Sequence, residues 1–320
     1  MAVSSVNPPV LLFCAAAFAA TALLTRYAWS VCSRLGLIDS PDERKRHARA
    51  TPLLGGVALA AIIFPLALAA TWVDPVASDI SLLNLAIAAT AVTLVGVFDD
   101  RQDLTPRLRV ALGFSIFGAL ALLDRTFLVR QLVFPVLGFQ FGLYSEGLAL
   151  FFTALCCVGL VNAVNMADGK NGLVLGLCTG WLVLILSRSG PGDVSFMLVM
   201  LAGLIALLVM NLRGKLFLGD GGAYGLAAAI GLCTIRSYNA NLRDPMVGLS
   251  AEAVVLLFIV PVADSMRLTV MRMARGRSPM APDRDHLHHH LQDWFGWPGG
   301  LFVYWFAALA PATVLLLLTR

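Results

Sequence analysis

Ten apolar runs, each close to the length that crosses a bilayer, leave this chain few folding options. They lie at 8–32, 54–73, 80–98, 110–124, 147–165, 173–187, 195–211, 221–237, 250–272 and 299–319. A membrane-spanning helix needs about 20 mostly apolar residues, so ten of them consume roughly 200. What remains of the 320 residues makes short loops and leaves no room for an extramembrane domain. Residues 1–320 therefore read as a single integral membrane domain, all-α and polytopic, with about ten transmembrane helices. A barrel is excluded because the runs are continuous rather than alternating. Only 13% of residues are charged and 59% are hydrophobic, whereas a soluble domain carries roughly 25% charge. Soluble, disordered, collagen-like and disulfide-scaffold classes are excluded by the same numbers. The first run lacks a basic start and is long enough to span, so it reads as a helix rather than a cleaved signal. The six cysteines fall in or beside apolar runs without CxxC spacing, and read as small helix-packing residues. Segment 131–143, broken by Pro135, Gly138 and Gly142, is expected to form a short outward hairpin or a re-entrant piece.

With ten spans, alternate loops face opposite sides. One set (33–53, 99–109, 166–172, 212–220 and 273–298) carries fourteen Lys and Arg residues; the other set, with the last residue, carries five. Basic residues mark the cytoplasmic side, which places the first set there and both termini outside. The same set holds ten aspartates, among them Asp99, Asp100, Asp168 and Asp220, and all five histidines. Loops that only join helices have no need of this chemistry.

Asp99 and Asp100 close the third run. Adjacent carboxylates there suit Mg²⁺ or an oriented nucleophile, although a solvated helix cap would look the same. Asn162, Asn165 and Asp168, spaced by three, share one helical face inside an apolar run, where an ordinary C-cap would require neither asparagine. Asp220 precedes the eighth run between Gly219 and Gly221–Gly222. It reads either as an N-cap or as part of a loop whose bare backbone N–H groups cradle a phosphate. No P-loop is present. In the first cytoplasmic loop, Arg44, Lys45 and His47 serve either as a positive-inside anchor or as phosphate contacts. In the last, His286, His288, His289 and His290 suggest zinc or, with Arg284, a positively charged patch for a diphosphate; the HExxH pattern is absent. Acids and cations brought to one face fit metal-assisted phosphoryl transfer, with a soluble donor from the cytosol and a lipid acceptor from the bilayer.

Five motifs run in order along the chain: D-x-P-x-x-R-K-x-H followed by P-x-x-G-G (Asp39 to Gly56), G-x-x-D-D (Gly96 to Asp100), N-x-x-N-x-x-D-G (Asn162 to Gly169), F-x-G-D (Phe217 to Asp220) and P-D-R-x-H-x-H-H (Pro282 to His289). In this the chain resembles the polytopic polyprenyl-phosphate N-acetylhexosamine-1-phosphate transferases, of the glycosyltransferase family 4 type. Its PDRDHLHHHL segment is nearer the N-acetylglucosamine branch than the phospho-MurNAc-pentapeptide transferases.

The resemblance implies transfer of a sugar 1-phosphate, most simply GlcNAc 1-phosphate, from a UDP-N-acetylhexosamine to undecaprenyl phosphate, with UMP released. It implies Mg²⁺ (or Mn²⁺) as cofactor, a bacterial inner-membrane location with the site facing the cytoplasm, membrane lipid as partner, no nucleic acid, and a homodimer in many members. The step begins O-antigen, capsule, teichoic-acid or related envelope glycans. By the same resemblance, Asp220 ligates the metal, and Asp99 and Asp100 orient or deprotonate the lipid phosphate or share the metal. Asp168 and Asn165, with Asn162, shape the nucleotide-sugar site. Arg284, His286, His288 and His289 bind the donor's diphosphate or sugar, and Lys45 and His47 contact phosphate near the lipid entrance. Two departures bear on sugar specificity: DGKNG, with Asn171 where the family often has aspartate, and Ala223 after Gly222. Donors carrying QuiNAc, FucNAc, GalNAc or phospho-MurNAc-pentapeptide stay open, as do one-step and covalent routes. A transporter or lipid flippase is the rival of another class, favoured by many spans and opposed by polar groups on one face; a non-catalytic scaffold is a third reading, opposed by the intact carboxylates.

Overall fold

The structure, a computed structural model, describes residues 7–40, 49–74, 79–278 and 285–319. The chain runs α1 (Pro8–Arg26), α2 (Ala28–Leu35), β1 (Ile38–Asp39), β2 (Thr51–Pro52), then α3 (Gly55–Ala58), a π turn at Leu59–Ile63, and α4 (Phe64–Val73). Next come α5 (Ile80–Gln102), α6 (Pro106–Leu123), a 3₁₀ turn at Arg125–Phe127, β3 (Gln131–Phe134) and β4 (Phe139–Gly142). The remainder is α7 (Glu146–Ala167), α8 (Leu173–Leu186), α9 (Pro191–Leu212), α10 (Gly219–Asn241), α11 (Ala251–Ala274), α12 (Leu287–Phe295) and α13 (Gly299–Leu318).

The protein is an all-α polytopic membrane protein. Among the described residues, eight helices are long and apolar enough to cross a membrane, counting α3 through α4 as one. Helices satisfy their own backbone polar groups, which a lipid environment demands. All ten apolar runs are helical, but α8 has only 14 residues and α10 is not among the eight. The first run is divided: α1 stops at Tyr27 and α2 begins at Ala28, where the apolar run gives way to Thr25-Arg26-Tyr27. Segment 131–143 forms an antiparallel hairpin, with Gly138 at φ 71° in its turn. Tyr238 fastens it: its hydroxyl accepts from the Val133 N–H (2.9 Å) and donates to the Gln131 carbonyl (2.8 Å). Within the last loop the histidine run is helical, in α12. Buried His288 and Leu291 lie three apart on one face, and Gly296 ends the helix.

The helices pack as two units. The first comprises 1–105 and 189–229, the second 106–188 and 230–320, so α10 starts in one and continues into the other. In the first unit α1 and α4 pack on α9. Glycines bring three backbones together there. A Cβ on Gly96 of α5 would stand 2.5 Å from the Asp220 carbonyl oxygen, and one on Gly55 of α3 would stand 2.3 Å from that of Leu218. Small residues permit such approach between membrane helices, where packing replaces the hydrophobic effect as the driving force. Backbone bonds complete the junction: Leu54 N–H donates to Phe217 O (3.1 Å) and Phe217 N–H to Pro52 O (2.9 Å). In the second unit α6 packs on α7, and α13 on α8, α11 and α12.

Gly96→Ala is expected to cost about 1–3 kcal/mol through overpacking against fixed backbone, read as a lower unfolding temperature in detergent. Gly118→Ala in α6, with nothing within 4 Å of the new Cβ, is the control and should be neutral or slightly stabilising.

Candidate active site

The sequence motifs sort between the units. The first unit assembles P-x-x-G-G, G-x-x-D-D and F-x-G-D; the second assembles N-x-x-N-x-x-D-G and the histidine run.

In the first unit, the last turn of α5 carries Asp99 and Asp100. Asp99 is buried, 2% exposed. Its Oδ1 accepts from the Leu104 N–H (2.9 Å) and its Oδ2 from the Tyr224 hydroxyl (2.8 Å). Tyr224 was not singled out from sequence; it stands one turn into α10 after Asp220, in the GGAYG stretch. Asp100 turns to the start of α10, where its Oδ1 accepts from the Asp220 N–H (2.8 Å) and its Oδ2 from the Gly221 N–H (2.9 Å). A helix N-terminus is an anion site by its free N–H groups and its dipole. Here an anion of the same chain fills it. The sequence reading of bare amides that cradle a phosphate is therefore corrected for Asp220 and Gly221. Gly219, at φ 73°, makes the approach possible, since a Cβ there would lie 2.8 Å from Asp100 Oδ2. The side chain of Asp220 stands partly exposed at the same helix start.

The donor set fits a hard cation in kind, because carboxylate oxygens suit Mg²⁺. Among the described residues, however, no three His, Cys, Asp or Glu side chains gather as a ready-made cage. Mg²⁺ typically takes one or two carboxylates with waters and substrate phosphates, and so does not require such a cage.

In the second unit, Asp168 ends α7, its N–H bonded to the Asn165 carbonyl (3.1 Å). Asn165 and Asn162 are partly exposed one and two turns back, with Asn162 donating to Val158 O (2.8 Å). Gly169 lies directly against His288: a Cβ there would meet Nε2 at 2.3 Å. The α7–α8 connection and the histidine run are therefore neighbours. The ring of His288 stacks on His286 (5.5 Å between centroids) and tilts against His289 (4.3 Å). Burial, reinforced by those two imidazoles, pushes its pKa down to about 3. His288 is thus neutral at physiological pH, and the expected positively charged patch is corrected at this residue. Neither of its ring nitrogens has a hydrogen-bond partner among the described residues.

His286, 8% exposed, is held by a residue the sequence reading passed over. Asp264 of α11 lies 3.1 Å from its Nδ1. Asp264 sits in an apolar run, and only its later partners mark it out. At the other end of the run, His290 Nε2 meets Asp285 Oδ1 at 2.7 Å, which with Arg267 holds the Asp285 carboxyl below the usual range. Lys45, His47 and Arg284 lie outside the described residues.

The Glycosyl transferase family 4 profile matches residues 82–238. The chain is 30% identical over 285 residues to the undecaprenyl-phosphate alpha-N-acetylglucosaminyl 1-phosphate transferase of Escherichia coli, covering 85% of this chain and 73% of that one. The Yersinia pestis protein of the same name is 30% identical over 274 residues, covering 81% and 70%. The decaprenyl-phosphate N-acetylglucosaminephosphotransferase of Mycolicibacterium smegmatis is 29% identical over 282 residues, covering 81% and 69%. This chain belongs to glycosyl transferase family 4.

Tyr224→Phe removes a donor from a buried carboxylate and is expected to cost about 1.5–3 kcal/mol, measured by thermal unfolding. Gly169→Ala must displace His288; a fall in turnover of about tenfold or more, with the chain still folded, is the expected result, since small displacements at a site cost about that much or more.

Proposed function

We propose that this chain transfers N-acetylglucosamine 1-phosphate from UDP-N-acetylglucosamine to undecaprenyl phosphate, releasing UMP. The observation that carries the reading is the gathering of Asp99, Asp100 and the Asp220 segment at one helix start, in a chain 30% identical to an Escherichia coli relative named for this transfer. An oxygen of the lipid phosphate attacks the β-phosphorus of the donor in line. One P–O bond forms to the lipid phosphate, and the bond from β-phosphorus to the bridging oxygen breaks, that oxygen leaving with UMP.

Both reactants are anionic, so their approach must be screened. Mg²⁺, held by Asp220 with help from Asp99 and Asp100, would supply that screening and bind the donor's diphosphate. Asp99 is fixed by Tyr224 and Leu104, and Asp100 by two amides, so neither needs to reorganise as substrate binds. That is the economy of a preorganised site. Asn162, Asn165 and Asp168 belong to the nucleotide sugar in this reading. His286 and His289, with Arg284, serve its diphosphate or sugar. Neutral His288 suits a hydroxyl or amide better than a phosphate. Lys45 and His47 serve phosphate near the lipid entrance. The location we propose is a bacterial inner membrane with the site facing the cytoplasm, both termini outside, and a dimer as the assembly. The excess of basic residues in one loop set supports the orientation.

The test is UMP release by protein purified in detergent, given undecaprenyl phosphate, UDP-GlcNAc and Mg²⁺. We expect UMP only with lipid and metal present, abolished by EDTA and reduced about 100-fold or more in Asp220→Asn, the scale of losing one electrostatic stabiliser. Other UDP-sugars in the same assay rank the donors. No UMP from any donor, in demonstrably folded protein, would overturn the proposal.

A further inference from the structure

Asp264 makes more contacts to the histidine segment than a helix latch requires. It lies in α11, with a side chain 9% exposed. Both of its oxygens stand 3.2 Å from the N–H of Leu287, the first residue of α12. Its Oδ2 faces His286 Nδ1 at 3.1 Å. Arg267, one turn further along α11, donates to Asp264 Oδ1 at 3.0 Å and reaches the Asp285 carboxylate at 3.5 Å and the Asp285 carbonyl. The backbone on either side of His286 is therefore tied to α11, and so is the Nδ1 edge of its ring.

The chemistry of that ring follows. An ionised carboxylate only accepts hydrogen bonds, so the proton on His286 resides at Nδ1. That leaves Nε2 as the nitrogen that can engage a ligand. The ring cannot turn over without forfeiting the carboxylate, and its far face is stacked on His288. A carboxylate behind an imidazole is a general device for fixing tautomer and orientation.

We infer that Asp264 is the positioning residue of the histidine run: it holds His286 with Nε2 available to the donor substrate and acts on turnover through His286. This rests on the reading that His286 contacts the nucleotide sugar.

The experiment is a double-mutant cycle on the full chain in detergent, with Asp264→Ala, His286→Ala and the pair, in variants shown to be monodisperse with an intact unfolding transition. Kinetic constants for UDP-GlcNAc and for undecaprenyl phosphate are measured separately. If Asp264→Ala does not fold, Asp264→Asn replaces it, since the amide keeps the shape and removes the charge. We expect each single change to lower kcat/KM for UDP-GlcNAc by about 10–100-fold, the usual cost of losing an orienting partner. The KM for the lipid should stay within about twofold, and the double variant should be no worse than the weaker single, because the two residues act as one.

Multiplied losses in the double variant would overturn the inference. So would an effect on lipid KM in place of donor KM, or Asp264 variants of wild-type activity beside a crippled His286→Ala. If His286→Ala keeps wild-type kinetics, the donor reading of His286 fails first; an Asp264 defect that persists there is structural and refutes positioning through His286.

Discussion

A carboxylate buried at the end of a helix has to be satisfied by the protein, because burial takes it out of water. Asp100 meets this demand by accepting from the Asp220 and Gly221 N–H groups at the start of α10, and Asp99 by accepting from Leu104 and Tyr224. Charge-assisted bonds of this kind are worth about 1.5–3 kcal/mol each, and leaving a buried charge unpaired costs more. The demand shapes its neighbourhood. Gly219 must be glycine for Asp100 to come close, and Gly96 and Gly55 must be glycine for α5 and α3 to reach the segment that carries Asp220. The packing and the polar chemistry of the first unit are one arrangement.

The second unit solves a related problem with imidazoles. His288 is buried and therefore neutral, while His286 and His290 each face a carboxylate. One run of similar residues thus yields three environments. The difference comes from α12, whose turns send successive histidines to different surroundings, and from α11, which supplies Asp264 and Arg267. For phosphate chemistry the consequence is a division of labour. Two rings are held in place by carboxylates, while the ring sealed between its neighbours can only donate one hydrogen bond and accept another.

Hydropathy made the helices legible, since each apolar run satisfies its backbone in the same way whatever its neighbours are. The motif residues were legible because Asp, Asn and His beside apolar runs are costly without a use. What stayed hidden was pairing. Asp264 looks like an isolated acid in an apolar run until α12 is placed beside it, and Tyr224 looks like another aromatic of a helix. The glycines around Asp220 read equally as a phosphate cradle; only the position of Asp100 shows those amides taken. α12 itself escaped notice because nine residues with a histidine run carry little apolar signal, and the break at Tyr27 because a polar triplet inside a long run does not announce a bend.

The central claim is that phosphorus, and not the bare sugar, moves to the lipid. UDP-GlcNAc labelled with ³²P at the β-phosphate tests it most directly, when incubated with the purified chain, undecaprenyl phosphate and Mg²⁺ and followed by organic extraction. The account predicts label in the lipid phase, in a product that releases its sugar phosphate on mild acid treatment, with unlabelled UMP left in water. Label retained in water as UDP, while sugar appears in the lipid phase, would mean that the sugar–phosphate bond breaks instead and would contradict the account.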